Sequence, residues 1–251
     1  MAAMDWPTVP LKDGVLVPIL GFGTGTAWYK DDPNDPVDPR LVQVLKTALS
    51  KGFIHLDTAD SYGTEREVGM AIKESGIPRH KLFVTTKVLD GWRDVPAALK
   101  DSLQRLQLDY VDIYPILKTC TEPPALNQIE FHPYLQRSED YVPWMHEKGI
   151  QVSSFKTLAP LTVAKGAPLD VVLSSIAAHH GTTPIAVLIS WTIGKNVIPV
   201  TTAGKNERMD EYLNAVALKL SPEEQKEISK VGLERHFRWW GQKFFSPDDR
   251  S

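Results

Sequence analysis

Two rhythms of apolar residues run along this chain. Short unbroken runs suit buried strands, and longer stretches with apolar positions three and four apart suit one-sided helices. The runs are Ile19–Gly25, Phe53–Asp57, Leu82–Val88, Tyr110–Tyr114 and Val197–Thr202. After the first run, Asp38 reads as an N-cap, Pro39 as the first helical residue and Gly52 as a stop, with Leu41, Val42, Leu45 and Leu49 on one face. The spacing predicts further helices over Glu65–Lys73, closed near Gly76–Pro78, and over Val95–Leu106, with Leu99, Leu103 and Leu106 facing inward. Others are predicted over Tyr141–Lys148, Leu169–His180, Thr183–Gly194 with a threonine cap, and from the Ser221/Glu224 capping box through Val231. Asp13 and Gly14 read as the tight turn of a β-hairpin ahead of all this. Strands alternating with helices point to an α/β fold, a parallel sheet closed into a β/α barrel.

Bulk properties narrow the class. With 251 residues, 42% hydrophobic and 24% charged, the chain can build one large core, and a single barrel domain over residues 1–251 is the expectation. A net charge of -3 leaves no basic footprint for nucleic acid, and no lysine-rich amphipathic stretch suits a membrane surface. The single cysteine, Cys120, excludes an intrachain disulfide and suits a reducing compartment. Residues Met1 to Pro7 lack the apolar core of a signal peptide and no run is long enough to span a bilayer, so a cytoplasmic protein is expected.

Candidate chemistry gathers where strands end. Asp57 closes one run, Tyr62 follows before the helix opening at Glu65, and Lys87 stands at the end of the next run. At the carboxyl ends of barrel strands these three would share one rim. A free phenol titrates near ~10 and shuttles protons poorly at neutral pH, whereas an adjacent ammonium favours the phenolate and pulls the value down.

Asp57, Thr58, Ala59 and Tyr62, together with the Thr86–Lys87 pair, resemble the aldo-keto reductase family, most closely its fungal-type members. The resemblance implies a TIM-type (β/α)8 barrel with an N-terminal β-hairpin and a C-terminal tail, and NADP(H) as cofactor. Tyr62 would then protonate a carbonyl as NADPH delivers hydride, with Lys87, held by Asp57, tuning the phenol. It also makes Ala125–Pro133 the sixth strand and Ile150–Leu161 the seventh with its phosphate loop. On the cofactor side it places Gly23, Thr24, Asp57, Gln128, Phe155 as a ring to stack on nicotinamide, and Leu158. Lys156 stands where the family has serine, and would either neutralise pyrophosphate or block the groove. Thr201 and Thr202 lead to a turn where Lys205 and Arg208 would grip the 2'-phosphate, with Val200 replacing the family's strand lysine.

The resemblance breaks after the fourth strand. Leu117 falls where the family has its substrate-orienting histidine, and Pro115 removes a ladder donor, which stops the strand at Tyr114. The chain then reaches the sixth-strand motif within a few residues, so a helix, the fifth strand with the asparagine that holds the carboxamide, and another helix have no counterpart. A parallel crossover needs a dozen or more residues, which the proline-broken stretch from Pro115 to Pro124 does not supply. The expectation is an incomplete barrel of about seven strands, with edges through which a homodimer would form.

His179 and His180 end a helix, where polar or positive groups suit the dipole, and no metal site is expected there. The aromatic tail of Phe237, Trp239, Trp240, Phe244 and Phe245 would either cover the barrel mouth and shape a pocket for an apolar or aromatic carbonyl compound, or pack on the barrel side. Three functions are compatible with these residues. One is an NADP(H)-dependent carbonyl reductase weakened by the missing histidine, with a place in secondary metabolism. Another is a non-reductive isomerase, dehydratase or cyclase using Tyr62 and Lys87. The third is a catalytically silent homologue.

Overall fold

The chain opens with an antiparallel hairpin, β1 (Thr8–Pro10) and β2 (Leu16–Pro18), turned at Asp13 and Gly14. Gly14 sits at φ 84°, a left-handed conformation that suits glycine, and the Asp13 carboxylate accepts the Val15 N–H at 3.1 Å. The computed structural model describes residues 6–32, 35–89, 93–113, 124–166, 168–241, 245–246 and 249–250. They divide into two units, Met1–Leu126 with Thr202–Met209, and Asn127–Thr201 with Asp210–Ser251.

The first unit carries β3 (Gly21–Gly23), β4 (His55–Asp57) and β5 (Phe83–Thr85), parallel and adjacent in that order. The crossover from β3 to β4 is α1 (Pro39–Lys51), and that from β4 to β5 is α2 (Glu65–Ser75). Helix α1 starts where Asp38 accepts the Arg40 N–H at 2.8 Å, and ends at Gly52, φ 105°, whose N–H returns to Leu49. Its buried face is Leu41, Val42, Leu45, Ala48 and Leu49, the predicted one extended by an alanine. Helix α3 (Val95–Leu106) has the predicted bounds, with Leu106 buried and Leu99 and Leu103 half-buried. Phe22 and Phe53 meet edge to face at 5.3 Å in the core of this unit.

Over residues 110–113, the described part of the predicted fourth strand, one parallel bridge joins Ile113 to Thr85. The Asp112 side chain takes the Val84 N–H at 2.8 Å, a donor that a longer ladder would pair with backbone, and Arg79 holds that carboxylate at 2.6 Å. The connection beyond it, with Pro115, Leu117 and Cys120, lies outside the described residues, as do Met1–Asp5 and Phe244.

The second unit orders its strands β6 (Leu126–Glu130), β7 (Gln151–Phe155) and β8 (Val197–Thr201), with β7 and β8 parallel. Six strands of barrel type are therefore present among the described residues, where seven were expected. The helices of this unit are α4 (Tyr141–Glu147), α5 (Ala159–Thr162), α6 (Pro168–His179) and α7 (Pro184–Gly194), then α8 (Asn206–Ala217), whose first turn belongs to the first unit, and α9 (Pro222–Leu233). Thr183 caps α7 through the Ala186 N–H, and the Ser221/Glu224 capping box opens α9. The core of the second unit is Phe131, Tyr134, Leu169, Leu173, Leu188, Trp191 and Ile228 with their neighbours, Phe131 stacking on Trp191 at 5.5 Å.

Candidate active site

Strand β4 delivers Asp57 to its carboxyl end, 3% exposed, and β5 leads two residues on to Lys87. The Lys87 ammonium donates to Asp57 Oδ1 at 2.7 Å and to the Thr58 carbonyl at 2.8 Å. Tyr62 ends a 3-10 turn, Asp60–Tyr62, that Gly63 closes at φ 68°. This turn is pinned to the strand ends because the Asp60 N–H donates to the Lys87 carbonyl at 3.0 Å. Lys87 Nζ lies 5.2 Å from the centre of the Tyr62 ring. The three residues named from the sequence thus stand together in the first unit.

The electrostatics differ from the sequence expectation in one respect. Burial pushes the Tyr62 phenol above the ordinary tyrosine value, and although Lys87 pulls the other way, burial wins. For Lys87, burial acts to lower the pKa, but the Asp57 carboxylate and the Tyr62 oxygen outweigh it and hold the amine above the usual lysine value. His55, two residues before Asp57 on the same strand, is driven by burial down to about 4 and is therefore neutral. It bonds Thr85 Oγ1 at 3.2 Å.

Behind the triad is a polar layer in which Thr24, expected on the cofactor side, and Thr58 of the motif are joined by side chains given no role from the sequence: Thr64, Glu65, Glu67, Lys30 and Arg105. Thr24, Thr64 and Thr58 link their hydroxyls at 2.8 and 3.1 Å, so the Thr24 side chain, fully buried, is engaged inside the unit. Glu65, also buried, accepts from Thr86 Oγ1 and from Arg105 Nε, each at 2.6 Å. Lys30 pairs with buried Glu67, which also accepts the Asp38 N–H at 2.8 Å. Thr64 and Glu65 sit directly after the motif at the start of α2, where a local signal existed. Arg105, 40 residues from Glu65, is found only by folding.

The family model for the aldo/keto reductases matches residues 20–116 and 115–232. The chain belongs to the aldo/keto reductase family. The two matched stretches meet at Pro115 and Ile116, where the sequence pattern breaks. The chain is 32% identical to an NAD/NADP-dependent indole-3-acetaldehyde reductase of Schizosaccharomyces pombe over 271 aligned positions, covering 90% of this chain and 95% of that protein. That alignment is longer than the 251-residue chain, so the relative carries residues that have no counterpart here. Identity to methylglyoxal reductase DkgB of Escherichia coli O157:H7 is also 32%, over 85% of this chain and 93% of that one. An aldo/keto reductase of Brucella melitensis superposes with a TM-score of 0.76 at 27% identity, covering 90% of this chain and 99% of the other. The fold is accordingly the family's TIM-type α/β barrel.

The remaining candidates divide between the units. In the first, Gly23 pairs with Asp57 across β3 and β4, Thr202 is half-buried after β8, and Lys205 and Arg208 are exposed around the start of α8. Two cations at the positive end of a 12-residue helix suit a phosphate. Gly25 lies close against the Tyr62 ring, since a Cβ there would come within 3.0 Å of Tyr62 Cε2. These features fit a phosphate-bearing ligand.

In the second unit, Gln128 is half-buried in β6, Thr201 is buried at the end of β8, and Phe155 is half-buried at the end of β7. Leu158 packs against the core. Lys156 is held at φ 57°, a strained conformation for a residue with a side chain, and its amine lies 4.3 Å over the Trp239 ring. Burial lowers its pKa, with Glu130 pulling the other way. The tail is fastened within this unit, since the Glu130 carboxylate accepts the Trp239 N–H at 2.6 Å and the Trp240 N–H at 2.8 Å. The two indoles stay 47% and 59% exposed.

Proposed function

We propose that the chain reduces the carbonyl group of small aldehydes or ketones with NADP(H), Tyr62 acting as the proton donor. The observation that supports this most directly is the ion pair of Lys87 with Asp57 at 2.7 Å beside the Tyr62 ring. The family membership supplies the reaction class, and the aldehyde and methylglyoxal reductases among the relatives supply the substrate class.

NADPH, when bound, supplies the hydride. The Tyr62 hydroxyl donates a hydrogen bond to the substrate oxygen, which polarises the carbonyl and then receives the proton as negative charge grows there. A phenol held above the ordinary tyrosine value keeps its proton at neutral pH, which suits a donor to a strongly basic developing alkoxide and disfavours the base that a non-reductive isomerase or cyclase would need. Once the proton has gone, the Lys87 ammonium faces a phenolate and stabilises it. Asp57 and the Thr58 carbonyl keep the ammonium charged and aimed.

In the first unit, Lys205 and Arg208 would hold the 2'-phosphate, and Gly23 and Thr24 carry the cofactor-side roles that the family pattern gives them. In the second, Gln128 and Phe155 carry the nicotinamide roles that the family pattern gives them, and Lys156 and Leu158 those of the phosphate loop. Leu117 in place of histidine removes a second hydrogen bond to the substrate oxygen, so turnover is slower than in family members that keep it.

Purified protein incubated with NADPH and methylglyoxal, or with indole-3-acetaldehyde, should oxidise the nucleotide in an aldehyde-dependent way. Absence of NADPH binding at millimolar nucleotide would overturn the redox assignment.

A further inference from the structure

The end of α6 meets the first turn of α9 through three side chains that carbonyl reduction leaves unused. His179 and His180 are consecutive, yet both bring a ring nitrogen to one carboxylate, 45 and 44 residues away. His180 Nε2 lies 2.8 Å from Glu224 Oε1 and 3.1 Å from Oε2, and His179 Nδ1 lies 3.3 Å from Oε1. The donor atoms of all three residues fall within 4.8 Å of one another. Glu224 is already ordered by its capping role, for its Oε2 accepts the Ser221 N–H at 2.8 Å while Ser221 Oγ accepts the Glu224 N–H at 3.2 Å. Oε1 is thereby left facing both rings.

A tetrahedral zinc ion with ligand bonds of ~2.0–2.2 Å sets neighbouring donor atoms roughly 3.3 Å apart. The His179-to-Glu224 separation, 3.3 Å, matches that edge, whereas His180 at 2.8 Å from Glu224 is at hydrogen-bond length and would move outward by about half an ångström on taking up the ion. What a shared cation would use is the gathering of two imidazole nitrogens and one carboxylate oxygen, donors from two different helix ends, within 4.8 Å of one another. We propose that His179, His180 and Glu224 form a surface site for a divalent transition metal, Zn2+ foremost, completed by water on the exposed side of His179. Imidazole and carboxylate are donors that zinc, nickel and copper accept, whereas calcium and magnesium prefer oxygen alone. A metal bound there ties the C-terminus of α6 to the N-terminus of α9 and stabilises the second unit by mass action. The site stands apart from the reductase reading and does not depend on it.

The test titrates ZnCl2 into the full chain, stripped with a chelator and dialysed, by calorimetry, with a thermal melt alongside. The expected result is one Zn2+ per chain with micromolar affinity and a higher Tm. His179→Ala and His180→Ala should each weaken binding at least tenfold, and the double variant should abolish the stoichiometric heat and the Tm shift. His179 is exposed, so its variant should leave the metal-free Tm near that of the parent; His180 is part-buried, so the Zn2+-induced shift is read against each variant's own metal-free Tm, and NADPH binding should be unchanged in all of them. Glu224→Gln, which keeps an acceptor for Ser221, should also lose the metal. No binding below millimolar Zn2+ overturns the proposal, and so does binding that survives in the double variant.

Discussion

Tyr62 illustrates how a single residue's chemistry depends on competing fields. The ammonium of Lys87 favours the phenolate, but burial costs the charged form more, and the net pKa lies above that of free tyrosine. Replacing Tyr62 by Phe removes the donor and leaves the packing, so kcat should fall by about 10²–10⁴-fold while NADPH affinity stays nearly unchanged, as read by fluorescence titration. Equal turnover in parent and variant would end the assignment. Asp57→Asn leaves a largely buried lysine facing no carboxylate, and should destabilise the fold by about 3 kcal/mol in urea unfolding as well as slowing turnover. Arg208→Ala should weaken NADPH by roughly tenfold and NADH far less, since one charge-assisted hydrogen bond to a phosphate is worth about 1.5–3 kcal/mol. A matched loss for both nucleotides would place Arg208 elsewhere.

At the scale of elements, helix ends were legible and strand extents were not. Asp38, Thr183 and Ser221 cap through bonds that reach two or three residues along the chain, and Gly52 stops its helix by a local left-handed turn. Such signals need no partner. Strand length is set by what lies alongside: of residues 110–113 in the expected strand only Ile113 forms a bridge, and the Asp112 carboxylate takes the Val84 N–H that a longer ladder would pair with backbone. Helix contact shows the same dependence. A methyl at Gly69 of α2 would fall on the carbonyl of Leu106 in α3, so Gly69→Ala must part the two helices. The expected cost is about 1–3 kcal/mol, seen as a lower Tm in a thermal melt, despite alanine's better helix propensity.

At the scale of the molecule, stability should depend on acid. His55 has an ordinary value of 6.5 but is held at about 4 in the fold, so between these two pH values the unfolded chain binds a proton that the native chain does not. The stabilisation is complete above 6.5 and is lost as pH falls toward 4, a change of about 3 kcal/mol for a shift of this size. Glu130, held below its ordinary value by His132 and the tail N–H groups although burial opposes this, acts in the same direction at lower pH. The urea midpoint should therefore drop between pH 7 and pH 5, and His55→Gln should flatten the drop. A slope unchanged in the variant would show that another group titrates.

Several features were settled by residue order alone. The strand-then-helix alternation, the caps, the hairpin at Asp13 and Gly14, and the trio of Asp57, Tyr62 and Lys87 rest on interactions between near neighbours or on strand ends that a barrel always aligns. Tertiary structure decided what depends on distance through space: the burial that raises the Tyr62 phenol, the Arg105–Glu65 pair behind it, the hold of Glu130 on the tail, and the arrival of Glu224 at two histidines that looked like a plain helix end. Burial and partners 40 or more residues away are properties of the packed chain, since the dielectric around a side chain is made by everything folded against it.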